Sequence, residues 1–436
     1  MTTPEDAEPN SEPAQETGRK ALVGLLKIRD FRYLFLSVGI LIFGFEMRSV
    51  AQSWLTLELT DSQAWVGLVN GLPAVGVIAL TLYGGVIAER YPKKTILAIV
   101  RLLLSVIAFA VGYLVAADLI EAWHLLVFAL IQGSIVAFGM PAGQSILIEI
   151  VGKDRLMSAN MFSQTLSSVG TMLGPAIGGV LLGISGVASV YVIVGALYVF
   201  AFLATLLIRN NTVTNPAGSK SAFQEIAEGM RYVRGDSVFR YLFLLNILAL
   251  FAGFVMPLIP VYARDVLEVG EAGFGILMSG FGVGALIGSF ALAYAGNVKR
   301  KALVMVIATI MFSVGMIIFV FSRSYPLSIG TMVLMGAAGP VYVATIMTVV
   351  SVRAPDHMRS RIIAMFSITM QLFPLGWMAG GILAEVFSNE TSGVIGALGC
   401  WRISGLPLHH LKELSGDHLT FGSALSHRHA SSHSLG

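Results

Sequence analysis

Charge is scarce in this chain. Only 12% of its 436 residues are Asp, Glu, Lys or Arg, about half the share of an ordinary soluble domain. With 56% hydrophobic residues and a mean hydropathy of +0.79, so much apolar surface needs lipid as its solvent. Cysteine is nearly absent too. The single Cys400 excludes a disulfide framework and a thiolate metal cluster. Lys and Arg number 28 against 25 Asp and Glu, too small an excess to argue for nucleic acid. There is no Gly-rich loop ending in Gly-Lys-Ser/Thr, so ATP-driven transport within the chain is not expected. His124 and His357 are isolated from the partners that a triad or metal site would need, so neither an enzyme nor a metal centre is expected. Residues 1–20 lack the basic start of a secretory signal peptide. They carry Glu5, Asp6, Glu8, Glu12 and Glu16 and read as a disordered tail.

What is abundant is long apolar runs of the roughly 20 residues that cross a bilayer. They fall at Tyr33 to Leu57, Trp65 to Ala88, Thr95 to Ala117, His124 to Ile146, Ala159 to Leu182 and Ala188 to Ile208. After a polar stretch come Tyr241 to Ala263, Gly273 to Ala295, Ala302 to Phe321, Leu327 to Val350 and Ile362 to Val386. These make eleven spans. Basic residues crowd one set of alternate loops, from Arg19 and Lys20 through Arg90, Lys93 and Lys94 to Arg353, Arg359 and Arg361, whereas the other set holds only Arg264 and Arg323. The bias places the amino terminus in the cytoplasm.

The chain repeats itself. Phe31-Arg32-Tyr33-Leu34-Phe35-Leu36 returns 208 residues later as Phe239-Arg240-Tyr241-Leu242-Phe243-Leu244, and at the same offset Gly67 meets Gly275 and Gly76 meets Gly284. Gly178-Gly179-Val180-Leu181 likewise resembles Gly380-Gly381-Ile382-Leu383. Several matches in order imply duplicated six-helix units. Two parallel six-helix halves resemble the major facilitator architecture, in which the substrate site lies between the halves. The expected organisation is a cytoplasmic tail (1–28), a first bundle (29–208), a linker (209–238), a second bundle (239–398) and an atypical tail (399–436). In the linker, Phe223, Ile226, Ala227, Met230 and Val233 share one helical face, as in an amphipathic helix on the membrane surface.

Three motifs carry the resemblance further. Gly85-Val86-Ile87-Ala88-Glu89-Arg90-Tyr91-Pro92-Lys93-Lys94 resembles the major facilitator loop signature G-x-x-x-D-R-x-G-R-K, with Glu for Asp and Pro92 for the second Gly. The resemblance implies a conformational latch of Gly85, Glu89, Arg90 and Lys94, with Gly85 allowing close helix approach. Glu89 would face the helix end near Arg361, and Glu149 would partner Arg90 or Lys94. Gly170-Thr171-Met172-Leu173-Gly174-Pro175-Ala176-Ile177-Gly178-Gly179 matches the family pattern G-x-x-x-G-P-x-x-G-G, which is associated with export. Physically, Gly170, Gly174, Gly178 and Gly179 offer a flat groove to another helix, and Pro175 removes a hydrogen bond and allows a bend. Met47 to Ser62, Glu228 to Val233 and Pro355 to Arg361 resemble the branch that includes enterobactin or other siderophore exporters and macrolide exporters, the transmembrane secretion effector type. One departure stands out. Where that family often has an Arg three residues before Gln132-Gly133, this chain has Ala129.

Ionisable groups inside a bilayer are functional candidates by default. Glu46 and Arg48 lie in mid-span, about 200° apart on a helix. Glu46 shares a face with Ser49 and Ser53, and Arg48 stacks with Gln52. Two readings stand. Either one face lines the central cavity, with Glu46 as the proton-sensitive group, or Arg48 pairs with a neighbouring helix and Glu46 bonds locally. Gln132, Asn246 and Gln371 are further coupling candidates, with Asn70 and Gln164 secondary, and Arg101 is expected to snorkel.

The expected fold is an all-α membrane protein of the major facilitator type, with a twelfth helix missing or atypical. The expected function is proton-coupled efflux of small hydrophobic or amphipathic compounds, such as drugs or siderophore-like metabolites, by alternating access. Import of a metabolite and an inactive paralogue are the alternatives. No cofactor is expected beyond the proton gradient as driving force. The partners are a small-molecule substrate and the lipid bilayer of the bacterial inner membrane, with no nucleic acid, and the chain is expected to act as a monomer. Beyond residue 398 no run of about 20 apolar residues remains, and six of the eight histidines fall there. A frameshifted or substituted ending is the reading that fits.

Overall fold

The computed structural model describes residues 24–152, 155–209, 235–296, 301–354 and 372–404, with the single positions 231, 362, 366 and 369. Among the described residues every regular element is a helix. Helices α1 (Arg29–Thr60), α2 (Gln63–Arg90), α3 (Lys93–Ala116), α4 (Ala122–Val151) and α5 (Leu156–Leu206) form the first half. The second contains α6 (Ser237–Ala252), the short α7 (Leu258–Val261), α8 (Gly270–Ala295), α9 (Lys301–Phe321), α10 (Tyr325–Arg353), α11 (Leu372–Val386) and α12 (Asn389–Ser404). Among the described residues eight helices are long and apolar enough to cross a bilayer. In hydrocarbon a helix meets its own backbone hydrogen-bonding needs, and the chain is an all-α membrane protein.

Helix α5 has 51 residues, about 76 Å of helix and twice what a bilayer needs. Gly186 divides it into two arms, because its φ of 75° lies in the left-handed region that side chains avoid. The arms correspond to the fifth and sixth expected spans. Pro175, by contrast, keeps helical φ/ψ.

The seventh span departs from the sequence expectation of an unbroken helix from Tyr241 to Ala263. Helix α6 stops at Ala252, and a 3-10 turn (Gly253–Val255), α7 and a π turn (Tyr262–Val266) follow. Pro257 and Pro260 have no N–H with which to continue the hydrogen-bond ladder.

In the first half, α1 lies along both arms of α5. Ser37 Oγ donates to the Ala201 carbonyl at 2.7 Å, and Gly44 leaves room for the buried Tyr198 ring. The halves meet along two seams, α2 against α11 and α5 against α8. A Cβ built on Gly381 would lie 3.1 Å from Gly67 Cα, and one built on Gly179 would lie 2.7 Å from Gly275 Cα. The duplicated glycines of the sequence therefore pair crosswise, one from each half in each seam.

Helix α12 begins where a twelfth span was expected and passes through residue 398 without a break. Gly399 packs on Phe251 and Cys400 is buried. Ser392 Oγ donates to the Gly380 carbonyl at 2.8 Å and ties α12 to α11. Its 16 described residues reach about 24 Å of the roughly 30 Å of a hydrocarbon core. Residues 405–436, and the amphipathic helix expected from Phe223 to Val233 apart from Arg231, lie outside the described residues.

Candidate functional site

The glycine groove has two faces, not one. Gly170, Gly174 and Gly178 receive Ile42, Glu46 and Met47 of α1, and a Cβ on Gly174 would sit 2.5 Å from Glu46 Cβ. Gly179 and the Pro175 carbonyl instead face Gly275 of α8. A helix turns about 100° per residue, so neighbours 178 and 179 serve different partners.

Glu46 sits over that groove, and Thr171 Oγ1 donates to its Oε1 at 3.1 Å. The Thr171 carbonyl in turn faces Gly282 of α8. One residue thus separates the mid-span carboxylate from the seam between halves. Arg48 points elsewhere. It is buried, donates through Nη1 to Gln52 Oε1, and places its guanidinium 5.1 Å from the Phe45 ring centroid. Gln52 Nε2 passes the chain of bonds to the Val69 carbonyl of α2 at 3.2 Å. On the Ser53 face, Asn70 Nδ2 donates to Ser53 Oγ at 3.0 Å and to the Val66 carbonyl at 2.9 Å. Both charged groups are held by neighbours of their own half, and of the two Glu46 keeps the greater exposure.

The remaining candidates separate. Gln132 is buried in α4, beside Gly133, where α4 packs on Pro73 of α2. Asn246 is fully buried and donates to the Phe366 carbonyl at 3.2 Å and to Thr369 Oγ1, an attachment within the second half. Gln164 is exposed. Arg101 is buried and donates to the Leu97 carbonyl at 3.0 Å rather than snorkelling. Gln371 and Arg361 lie outside the described residues.

The loop latch differs from expectation in two respects. Among the described residues Glu149 pairs with Lys93, at 2.7 Å, and not with Arg90 or Lys94. Lys93 is 2% exposed at the amino end of α3, and Glu149 lies at the carboxyl end of α4. Each charge opposes the dipole of its own helix, and the ion pair offsets both. The close helix approach belongs to Gly84, which faces the Ala137 carbonyl of α4, whereas no described atom lies within 4 Å of a Cβ on Gly85. Glu89 and Arg90 are exposed and Lys94 is partly buried.

Sequence reasoning missed the charges at the opposite face. Arg264 donates to Asp61 across the halves and to Asp265 beside it, and its Nη1 reaches the Leu57 carbonyl at 3.4 Å. The Asp265 and Asp61 carboxylates hold the Arg264 guanidinium above its usual range, so it remains a cation. Glu385 Oε2 accepts from Ser62 Oγ at 2.9 Å and from the Gln63 amide at 3.1 Å. Nearby, Trp54 stacks on Phe274 with ring centroids 6.1 Å apart. The available signal was that Arg264 is one of only two basic residues in its set of loops.

Comparison with known proteins agrees with this geometry. The chain is 28% identical to the multidrug efflux pump Tap of Mycolicibacterium fortuitum, over 77% of this chain and 84% of that protein. It is 23% identical to the staphyloferrin A transporter of Staphylococcus aureus, over 82% and 90%. With the enterobactin exporter EntS of Salmonella typhimurium it shares 24%, over 86% and 88%. Among solved structures, a POT family transporter superimposes with a TM-score of 0.70 at 12% identity, covering 88% of this chain and 96% of that one. A D-xylose–proton symporter gives 0.63 at 15%, covering 85% and 97%. The family profile described as transmembrane secretion effector matches residues 23–414. Two helical halves, crosswise glycine seams and these relatives together place the chain in the transmembrane secretion effector family of major facilitator transporters.

Proposed function

We propose that this transporter is an exporter of small hydrophobic or amphipathic compounds, driven by the proton gradient without a bound cofactor and working by alternating access. The observation that carries the reading is the pair of crosswise seams. Each is made by one helix from each half, and small residues let the backbones slide or part without rearranging side chains. The halves touch at the Asp61 face, while at the Glu89 face Glu89 and Arg90 are exposed. The basic-residue bias makes the Glu89 face cytoplasmic, so substrate would enter from the cytoplasm of a bacterial inner-membrane protein. Both seams are internal to one chain, which suits a monomer.

Glu46 is the proposed coupling residue. Its link through Thr171 to the α8 seam gives a protonation event in α1 a route to the contact between halves. Outward transport is favoured by the relatives described as a multidrug efflux pump and an enterobactin exporter. The test is accumulation of a compound panel in cells with and without the protein. Lower accumulation that an uncoupler abolishes supports the reading. Higher accumulation in expressing cells would mean import, and no difference for any compound would count against transport of this class.

A further inference from the structure

The two seams are equivalent in backbone but not in charge. Where the α2/α11 seam ends, the corner between α1 and α2 is gripped from the other half at both of its helix ends, by Arg264 of the π turn after α7 and by Glu385 of α11. Arg264 approaches the carboxyl end of α1, bonding the Leu57 carbonyl and Asp61, the left-handed residue that ends that helix at a φ of 49°. Glu385 approaches the amino end of α2, bonding Ser62, the residue that caps that helix, and the Gln63 amide. A helix favours a cation at its carboxyl end and an anion at its amino end, so each gripping charge has the matching sign. Glu385 itself sits in the last turn of α11, the wrong end for its own helix, and docking on α2 relieves that mismatch.

Among the described residues the corresponding corner of the second half has no such grip. The duplication maps Gln63 onto Glu271 and Glu385 onto Gly183, by the offsets of 208 and 202 that relate the glycine pairs. In the α5/α8 seam the contact is Gly179 on Gly275, and a Cβ on Gly183 would lie 4.0 Å from Glu271. Among the described residues no ion pair joins α5 to α8.

We infer that Arg264 and Glu385 form a dipole-matched clasp on the Asp61 corner, and that this clasp makes the α2/α11 seam the one whose opening at this face is controlled by charge. The α5/α8 seam serves as the uncharged hinge. Other charges nearby are already engaged: Glu58 accepts from Trp54 Nε1 at 2.7 Å, and Arg323 lies 3.7 Å from Glu390. Asp61 and Glu385 are exposed, and exposed pairs are individually weak and screened by salt. That suits a contact broken in every cycle. The inference rests on the alternating-access reading only for its consequence for transport.

The test measures distances in the purified full-length protein, on a C400A background. Nitroxide pairs at positions 119 and 387 span the clasped seam, and pairs at 184 and 268 span the hinge. R264Q with E385Q should shift the 119–387 distribution to longer distances and leave the 184–268 distribution in place. Raised salt should move the unsubstituted protein the same way. A D61R/R264D exchange, which keeps the charge pair in reversed order, should return the 119–387 distribution towards that of the unsubstituted protein. An unchanged 119–387 distribution in a folded R264Q/E385Q protein, or equal widening of both seams, overturns the clasp. Neither outcome depends on which compound is carried, so failure to find a substrate leaves the result readable.

Discussion

Gly179 of α5 and Gly275 of α8 meet backbone to backbone, each positioned so that a Cβ on one would fall within 2.8 Å of the other's Cα. The pair is mirrored by Gly381 and Gly67 in the other seam. Without a hydrophobic driving force between helices in lipid, such close approach is what allows dispersion contacts to hold two helices together.

Gly275→Ala should therefore destabilise the protein by about 2 kcal/mol, the usual scale of overpacking. Gly330→Ala, at a helical position where a Cβ meets nothing within 4 Å, should be tolerated. Thermal unfolding in detergent compares the two. Equal midpoints would remove the seam glycines from the stability argument.

The Lys93–Glu149 pair joins a buried ammonium to a partly exposed carboxylate. Glu149→Gln removes the attraction between these two charges and should cost about 1 to 2 kcal/mol, below the range for fully buried pairs because Glu149 retains access to water. Lys93→Met with Glu149→Gln should recover part of that loss. A double-mutant cycle on the unfolding midpoint measures the coupling, which should vanish if the pair does not form in the membrane.

Adjacent glycines of the α2 end should behave oppositely. Gly84→Ala pushes a methyl group into the Ala137 carbonyl and should reduce both folded yield and transport. Gly85→Ala meets no described atom and should gain up to about 1 kcal/mol from helix propensity. Fluorescence-detected size exclusion reads folded yield for each. If Gly85→Ala is the damaging change, the packing at this end is not as described.

Glu46→Gln should abolish the uncoupler-sensitive part of efflux while leaving membrane insertion intact. Thr171→Val, which removes the hydroxyl donor but keeps the shape, should change the pH dependence of transport more than its maximal rate. Initial efflux rates across an external pH series separate these outcomes. Unaltered gradient-driven efflux in Glu46→Gln would take this carboxylate out of the coupling step.

The sequence by itself determined the solvent, most of the spans, the repeated glycines and the motif positions. Each is a local or periodic property: about 20 apolar residues suffice to cross a bilayer, and a repeat is visible without knowing what it touches. The matched glycines at 67, 179, 275 and 381 were all legible this way. What only the tertiary structure decided is which neighbour each side chain meets. Lys93 and Lys94 are equivalent in sequence, as are Gly84 and Gly85, but one residue is a rotation of about 100° on a helix, and packing buries Lys93 and Gly84. The break after Ala252 follows from Pro257 and Pro260, whose effect averages out of an otherwise apolar run. The grip of Arg264 and Glu385 on the Asp61 corner joins residues 203 and 323 positions apart. No local pattern encodes such a contact, because it exists only where the two halves meet.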